Sequence, residues 1–213
     1  METRQALQWW CHRQTLRSYH EAEQIRDGLL QESFSLWRAL EVSLAHPDAK
    51  PNQEWQKQLE LSERLHAALQ QMSDRLSPPY SDDNMILALQ YAIEMYRKQH
   101  PNVQLTLDLP INWQAESYET IRIVLMTLDE LLQIALTQTR LEPPAIAIAL
   151  RPLSGLGELV VQFTDPAQSL NPLHIKEFAY LRRAFQILTS GKCFYRCKDA
   201  SITWHFRWAS QLA

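Results

Sequence analysis

Glycine is scarce in this chain, with only four among 213 residues. Gly28 lies within a helical stretch, Gly155 and Gly157 lie in an expected hairpin turn, and Gly191 lies where a helix should end. Loops that cradle phosphate groups need glycine, because their backbone approaches the phosphate closely and often at positive φ. No glycine is left over for such a loop, which argues against a nucleotide site of that kind.

Long apolar runs and an excess of one charge are also lacking. The formal net charge is −3, so the composition gives no argument for nucleic acid or an anionic membrane as a partner. No run approaches the roughly 20 apolar residues that span a bilayer. The polar first residues do not resemble an export signal. We expect a cytoplasmic protein with no nucleic-acid partner and no membrane insertion.

Cysteine is rare as well, and Cys11, Cys193 and Cys197 make an odd set. Without an export signal, these residues are expected to be free thiols in a reducing compartment. Cys193 and Cys197 would share one face of an extended strand, but a metal site would need further ligands at tight spacing. Two thiols packed in a sheet are therefore favoured over a metal site, and we expect neither a metal nor a cofactor.

The first third of the chain predicts two long amphipathic helices. A helix from about residue 4 to 44 has no internal proline and places apolar residues at three- and four-residue steps: Leu16, Tyr19, Leu30, Phe34, Trp37 and Leu44. A second helix follows the breaker at 46–52 with its own apolar seam: Trp55, Leu59, Leu65, Leu69, Met72 and Leu76. An antiparallel hairpin cannot bury both its faces, which favours a four-helix bundle formed by two copies. The alternative is that the second half of the chain covers the seam.

From residue 82 onward the pattern alternates between helices and strands. The predicted order is helix, strand, helix, two strands, helix and two strands, which is typical of an α/β sandwich with helices on one face of a mixed sheet. Asp82 or Asp83 is the expected N-cap of the first of these helices, which ends near Gln99. The last helix is expected to open at Asn171-Pro172. The fold class is therefore α+β, a long helix hairpin followed by a sandwich.

One segment of the first helix carries a more specific signal. Residues 23–31 read Glu-Gln-Ile-Arg-Asp-Gly-Leu-Leu-Gln. They resemble the phosphoacceptor box of one large class of bacterial sensor histidine kinases, in which an apolar residue precedes His-Asp-Gly-Leu-x-Gln. Arg26 stands at the position of the histidine. A guanidinium stays protonated and has no free lone pair with which to attack a phosphoryl group.

The resemblance extends over about residues 16 to 208. The connection Leu76-Ser-Pro-Pro-Tyr80 and the strand at 104–110 are its other specific parts. It implies a helix-hairpin dimerisation and docking domain at 1–78, and a domain of the histidine-kinase ATP-binding type at 79–213.

The nucleotide-binding boxes that the resemblance implies are incomplete. In the family a helix supplies Glu-x-x-x-Asn, whose Asn holds magnesium; here Glu130 and Ile134 occupy these positions, and isoleucine offers no oxygen to the cation. A frame shifted by one would use Gln133, but it rotates the helix face by about 100°. Asp165 matches the Asp that binds adenine, although the glycines that follow it in the family are absent. The glycine-rich lid, expected near 170–178, is absent too.

The resemblance therefore implies a degenerate kinase rather than an active one. We expect a non-catalytic regulatory or adaptor protein that forms a homodimer through the hairpin and binds a response regulator or another signalling protein. Arg26, Asp27 and Gln31 are the candidate docking residues, since a fixed cation suits the aspartate cluster of a receiver domain. In the alternative interpretation, Arg26 only pairs with neighbouring acids on its own helix.

His20 offers a second functional alternative. Some phosphotransferases combine a helix hairpin with a degenerate nucleotide domain and keep only the histidine, which relays phosphate between response regulators. His20 lies six residues before Arg26, about 9 Å along the helix, so it need not share the same face. A histidine phosphotransferase acting through His20 is the runner-up, and an active ATP-dependent kinase is a distant third.

Overall fold

The computed structural model describes residues 2–45, 51–76, 84–138, 145–164 and 175–210. Within these ranges the chain forms five helices and five strands. The helices are α1 (Glu2–Ala45), α2 (Pro51–Leu76), α3 (Met85–Gln99), α4 (Tyr118–Gln138) and α5 (Lys176–Thr189). The strands are β1 (Leu105–Asp108), β2 (Ala145–Leu153), β3 (Leu156–Thr164), β4 (Lys192–Lys198) and β5 (Ser201–Ala209).

The strands form a single mixed sheet in the order β1-β2-β3-β5-β4. β1 pairs with β2 in parallel, and the remaining neighbours pair in antiparallel fashion. The two antiparallel hairpins, β2–β3 and β4–β5, follow from the short turns between their strands. The predicted α+β class with one mixed sheet is confirmed.

One face of this sheet forms the core of the molecule. Strand side chains alternate between two faces, so every second residue points the same way. On β3 and β5 the core-facing positions are Leu159, Val161, Phe163, Trp204, Phe206 and Trp208. They belong to one buried cluster with residues of α3, α4 and α5, so these helices cover that face. Burial of these large side chains is the main stabilising contribution in this part of the chain.

The chain divides into two compact units, which are described separately. One comprises Met1–Cys11 together with Pro79–Ala213, and the other comprises His12–Pro78. The start of α1 therefore belongs to the unit that contains the sheet, whereas the sequence interpretation assigned all of 1–78 to the helical domain. Trp10 is buried in the core of the sheet unit, and the ring of Trp9 lies 6.1 Å from that of Tyr180 on α5. Arg183 also donates a hydrogen bond of 3.1 Å to Thr3.

The helical unit holds the rest of α1 and α2. Several seam positions named above are exposed within the single chain: Leu16, Tyr19, Leu30, Phe34, Trp37, Leu59 and Leu69. The side chains of Leu44, Trp55, Met72 and Leu76 lie outside the described residues. The hairpin pairing and the four-helix dimer stay predictions.

The ends of two helices differ from expectation. Asn84, rather than Asp82 or Asp83, caps α3, and its side-chain oxygen accepts a hydrogen bond of 3.1 Å from the backbone nitrogen of Leu87. α5 begins at Lys176, and Asn171-Pro172 lies outside the described residues. Its C-cap is Ser190, in the left-handed region at φ 52°, rather than Gly191. Gly191 instead lies directly against the backbone carbonyl of Arg207, where no Cβ fits.

Candidate functional site

The segment with the kinase-like box is helical throughout, inside α1. Gln31, one of the three candidate docking residues, is exposed. The side chains of Arg26 and Asp27 lie outside the described residues. The helical backbone places Arg26 one turn before Leu30, because residues four apart lie one above the other on a helix.

An exposed apolar stripe begins at the end of this box. Leu30, Phe34, Trp37 and Leu40, hereafter the α1 stripe, follow one another at three- and four-residue steps. Leu30 is 63% exposed, Phe34 62% and Trp37 56%. The rings of Phe34 and Trp37 lie 5.9 Å apart and form a contiguous aromatic surface. Large apolar side chains that are contiguous and exposed typically mark a binding surface.

His20, the alternative phosphoacceptor, lies nearly two turns before Arg26 on the same helix. Its side chain is 69% exposed, and its Nδ1 lies 3.9 Å from Glu23 Oε2. That distance is too long for a hydrogen bond. The ring of Tyr19 meets that of His20 edge-on, with 6.1 Å between centroids. An imidazole in this position is accessible to another protein.

The two residues at the implied metal-binding box lie on α4. Glu130 is 1% exposed and Ile134 is 5% exposed, and Ile134 belongs to the hydrophobic core. Gln133, the alternative in the shifted frame, is exposed and hydrogen-bonded to Asp129 at 3.1 Å. Asp165, the implied adenine ligand, lies outside the described residues. Within the described ranges no group of three or more His, Cys, Asp or Glu is placed to hold a metal ion.

A buried carboxylate that the sequence analysis missed joins the segment before α4 to the last strand. Glu116 Oε1 accepts hydrogen bonds from Trp208 Nε1, at 3.0 Å, and from the hydroxyl of Ser210. Its Oε2 and the indole nitrogen of Trp113 are both buried and have no hydrogen-bond partner among the described residues. Trp113 packs against Trp208, with 6.3 Å between their rings. These contacts connect the segment before α4 to the end of β5 inside the sheet unit.

A second polar cluster lies on the sheet face opposite the core. Glu158 on β3 is almost fully buried, and its Oε1 accepts a hydrogen bond of 2.7 Å from Arg207 Nε on β5. The same oxygen lies 3.1 Å from His205 Nδ1. Burial raises the pKa of the Glu158 carboxyl, but the hydrogen bonds and charges of Arg207 and His205 outweigh burial, so the pKa lies below its ordinary value.

An aromatic ring on the edge strand completes this cluster. Phe194 on β4 stacks on His205 at 4.8 Å between ring centroids, with only 12° between the ring planes. The guanidinium carbon of Arg207 lies 5.0 Å from the centre of the same ring, and that of Arg196 lies 5.8 Å from it. Both distances fall within the range of cation–π attraction.

No protein family and no curated protein matches the chain in sequence. Among solved structures, the histidine kinase AdeS of Acinetobacter baumannii is 12% identical, with 86% of this chain and 98% of that one covered at a TM-score of 0.44. A histidine kinase from Burkholderia phymatum is 13% identical, with 89% and 99% covered at a TM-score of 0.45.

A bacterial phosphotransferase is similar to a comparable degree. It is 10% identical, with 87% of this chain and 92% of that one covered, and its TM-score is 0.43. At these values the similarity assigns no activity to the chain. Across the described ranges, no helix combines the length and apolar character that a bilayer crossing requires.

Proposed function

We propose that this chain is a non-catalytic regulatory or adaptor protein, related to sensor histidine kinases, that acts by binding other proteins in two-component or derived signalling. It forms a homodimer through α1 and α2, and it presents Arg26, Asp27 and Gln31 to a response regulator or another signalling protein.

The α1 stripe is the observation that carries this proposal. A single copy of the chain leaves Leu30, Phe34 and Trp37 more than half exposed, on either side of Gln31. Burying an aromatic ring of this size removes about 150–250 Å² from water, so the stripe favours association. Because it starts where the box ends, a helix packed on it brings a second box within reach of the same partner.

The residues at the phosphoacceptor position, the metal-ligand position and the phosphate-binding loop of the kinase pattern support a non-catalytic role. Arg26 lacks the nucleophilic lone pair of an imidazole. Ile134 has only a hydrocarbon side chain, which lies in the core and offers no oxygen to a magnesium ion. The sequence at 170–178 contains no glycine for a phosphate-binding loop. Losing any one of these would cripple phosphoryl transfer, and the chain departs from the kinase pattern at all three.

A histidine phosphotransferase acting through His20 is the second candidate. The exposure of the His20 imidazole is the observation that favours it. Such a protein would need neither Ile134 nor a nucleotide loop, because the phosphoryl group arrives from a phosphorylated receiver domain. Incubation with a phosphorylated receiver domain separates the two candidates, since only the phosphotransferase acquires an acid-labile label on His20.

A binding experiment with the full chain tests the proposal directly. The wild-type protein and a Gln31→Ala variant are immobilised at equal density and exposed to purified receiver domains. We expect the wild-type chain to bind at least one receiver domain and the variant to bind it more weakly. Glu63→Ala, at an exposed position of α2, serves as the matched control and should bind like the wild type.

Two results contradict the proposal. One is magnesium-dependent ATP binding tighter than about 1 mM together with phosphoryl transfer, which would make the chain an enzyme. The other is a wild-type chain that is monomeric and binds no receiver domain or other signalling protein.

A further inference from the structure

The sheet face opposite the core carries a concentration of positive charge. The register of β2, β3, β5 and β4 places Arg151, Glu158, Arg207 and Lys192 in one row across the sheet. The alternation of β4 places Arg196 and Lys198 on the same side as Lys192. We call the five cations of this surface the basic face: Arg151, Lys192, Arg196, Lys198 and Arg207.

The basic face contrasts with the chain as a whole, whose formal net charge is −3. Among the outward-facing strand positions of β2 to β5, Glu158 is the single carboxylate, and only 6% of its side chain is exposed. Four of the cations, at 151, 192, 196 and 198, are exposed. The field above this surface is therefore positive, which attracts anionic groups and speeds their encounter.

Arg207 is held in place by its neighbours. Its Nε is occupied by Glu158 at 2.7 Å, and its guanidinium lies over the ring of Phe194 at 5.0 Å. Its two terminal NH2 groups make no hydrogen bond within the described part of the chain. Since the side chain is already ordered, less conformational entropy is lost when those two groups bind a carboxylate in the two-pronged geometry that arginine favours.

We propose that the basic face docks an acidic polypeptide segment, with Arg207 as its central anchor and Arg196, Lys192 and Lys198 as flanking cations. This surface belongs to the sheet unit and does not depend on the function proposed for α1. Central outward positions carry small or short side chains: Ala147, Ala149, Val160 and Thr203. Val160 is 8% and Ala149 9% exposed, so the surface offered to a peptide is formed by the exposed cations around this floor of short side chains.

The aromatic residue of the face favours a protein over a single-stranded nucleic acid. Sequence-tolerant binding of bases relies on aromatic rings with an open face. The ring of Phe194 is stacked by His205 and approached by two guanidinium groups within 6 Å, so it is occupied by its own neighbours. Membrane binding, in turn, combines basic residues with a large apolar face that inserts between lipids. The floor of small residues does not provide one.

An acidic peptide of about 12 residues, rich in Glu and Asp and labelled with a fluorophore, is the probe. Its binding to the full-length protein is measured by anisotropy at low and at physiological salt. We expect saturable binding that weakens as salt rises, because charge attraction is screened. Arg196→Ala combined with Lys198→Ala should weaken binding at least tenfold. Both residues pair with β5 through the backbone, and in the described part of the chain neither side chain makes a hydrogen bond or ion pair.

Matched variants separate geometry from charge. Arg122→Ala removes an exposed cation from α4 of the same unit and should leave peptide binding unchanged. Arg207→Lys keeps the charge but loses the planar fork, so it should weaken binding several-fold while circular dichroism shows a folded protein. Labelled single-stranded DNA of equal charge and vesicles containing phosphatidylserine are tested in parallel. The proposal is overturned if the peptide does not bind, if Arg122→Ala weakens binding as much as the double variant, or if DNA or vesicles bind more tightly.

Discussion

Trp208 Nε1 donates a hydrogen bond to Glu116 Oε1 across 92 positions of sequence. Ser210 donates to the same oxygen, so one buried carboxylate fastens the end of β5 to the segment that leads into α4. A buried carboxylate is costly unless it is hydrogen-bonded. The two donors to Oε1 therefore offset part of the cost of burying a glutamate at this position, beside Trp113 and Trp208.

Replacing Glu116 tests this fastening. Glu116→Ala leaves the indole NH of Trp208 and the hydroxyl of Ser210 buried without an acceptor, so we expect a loss of about 1–3 kcal/mol in the free energy of unfolding. Glu116→Gln keeps one acceptor oxygen and should cost less. Urea denaturation followed by tryptophan fluorescence measures both. Glu119→Ala, exposed at the start of α4, is the control, and a loss as large as that of Glu116→Ala would refute the explanation.

The contribution of Glu158 to the free energy of unfolding should depend on pH. Its pKa in the folded chain lies below the ordinary value of 4.5, so the unfolded chain binds a proton more readily. The stabilisation is therefore fully present above that ordinary value and is lost as the pH falls through the folded pKa. Glu158→Gln should reduce the free energy of unfolding by about 1–2 kcal/mol at pH 7.

Denaturation of wild type and Glu158→Gln between pH 3 and pH 8 checks the sign. The difference between them should be constant from about pH 6 upward and shrink below about pH 4.5. Glu177→Gln, an exposed position on α5, should stay close to the wild type throughout. A Glu158→Gln difference that grows on acidification would show that the carboxyl is not held in its charged form.

Replacing Gly157 and Gly28 by alanine should change the stability of the chain in opposite directions. A Cβ at Gly157 would lie 2.5 Å from ring atoms of Trp208, so Gly157→Ala should force the indole to shift and destabilise the chain by about 1–3 kcal/mol. Gly28 lies inside α1, and a Cβ there meets nothing within 4 Å. Gly28→Ala should therefore stabilise α1 by about 0.5–1 kcal/mol. Thermal unfolding of both variants gives the comparison, and equal effects would contradict it.

Local sequence patterns predicted the helices and strands, but they did not predict the side-chain contacts between them. The order predicted after residue 82, helix, strand, helix, two strands, helix and two strands, is the order that the structure shows. The hydrogen bonds of Glu116 and Glu158 could not be predicted, because each joins residues that are tens of positions apart in sequence and that only the tertiary structure brings together. A glutamate inside an apolar strand, as in Gly-Glu-Leu-Val-Val, is the one signal that could have pointed to Glu158.

The helical part shows a second limit of sequence reasoning. The apolar steps of α1 predict a buried seam without saying what buries it. The same steps continue into Trp9 and Trp10, which pack in the sheet unit rather than on a partner helix. Periodicity identifies the face of a helix that is buried, but the partner of that face depends on the tertiary structure.

Dimerisation through the α1 stripe should be sensitive to a charge placed in it. Light scattering at tens of micromolar should return twice the chain mass of 24.9 kDa for the wild type. Phe34→Glu places a carboxylate where an apolar contact is expected and should shift the mass toward the monomer. Ser33→Glu, the neighbouring exposed position, is the matched control and should remain dimeric. A wild-type monomer, or a dimer that Phe34→Glu leaves intact, would contradict an interface at the stripe.

Restoring the histidine of the box should not create a kinase. In Arg26→His the imidazole regains a nucleophilic nitrogen, but a nucleophile works only when the γ-phosphate is held in line within about 3–3.5 Å. Ile134 offers no oxygen for a magnesium ion, and the chain retains no glycine-rich loop to hold phosphate groups. Incubation of Arg26→His with radiolabelled ATP and magnesium should therefore leave the protein unlabelled.

The same position distinguishes a docking role from a structural one. If Arg26 binds a carboxylate of a partner, Arg26→His should weaken the complex, and Arg26→Lys, which keeps the charge but loses the planar fork, should weaken it less. If Arg26 only pairs with acids on its own helix, both variants should bind like the wild type and change the free energy of unfolding by less than about 1 kcal/mol. Autophosphorylation of Arg26→His would instead show that the second domain holds ATP, and the non-catalytic role proposed for this protein would be wrong.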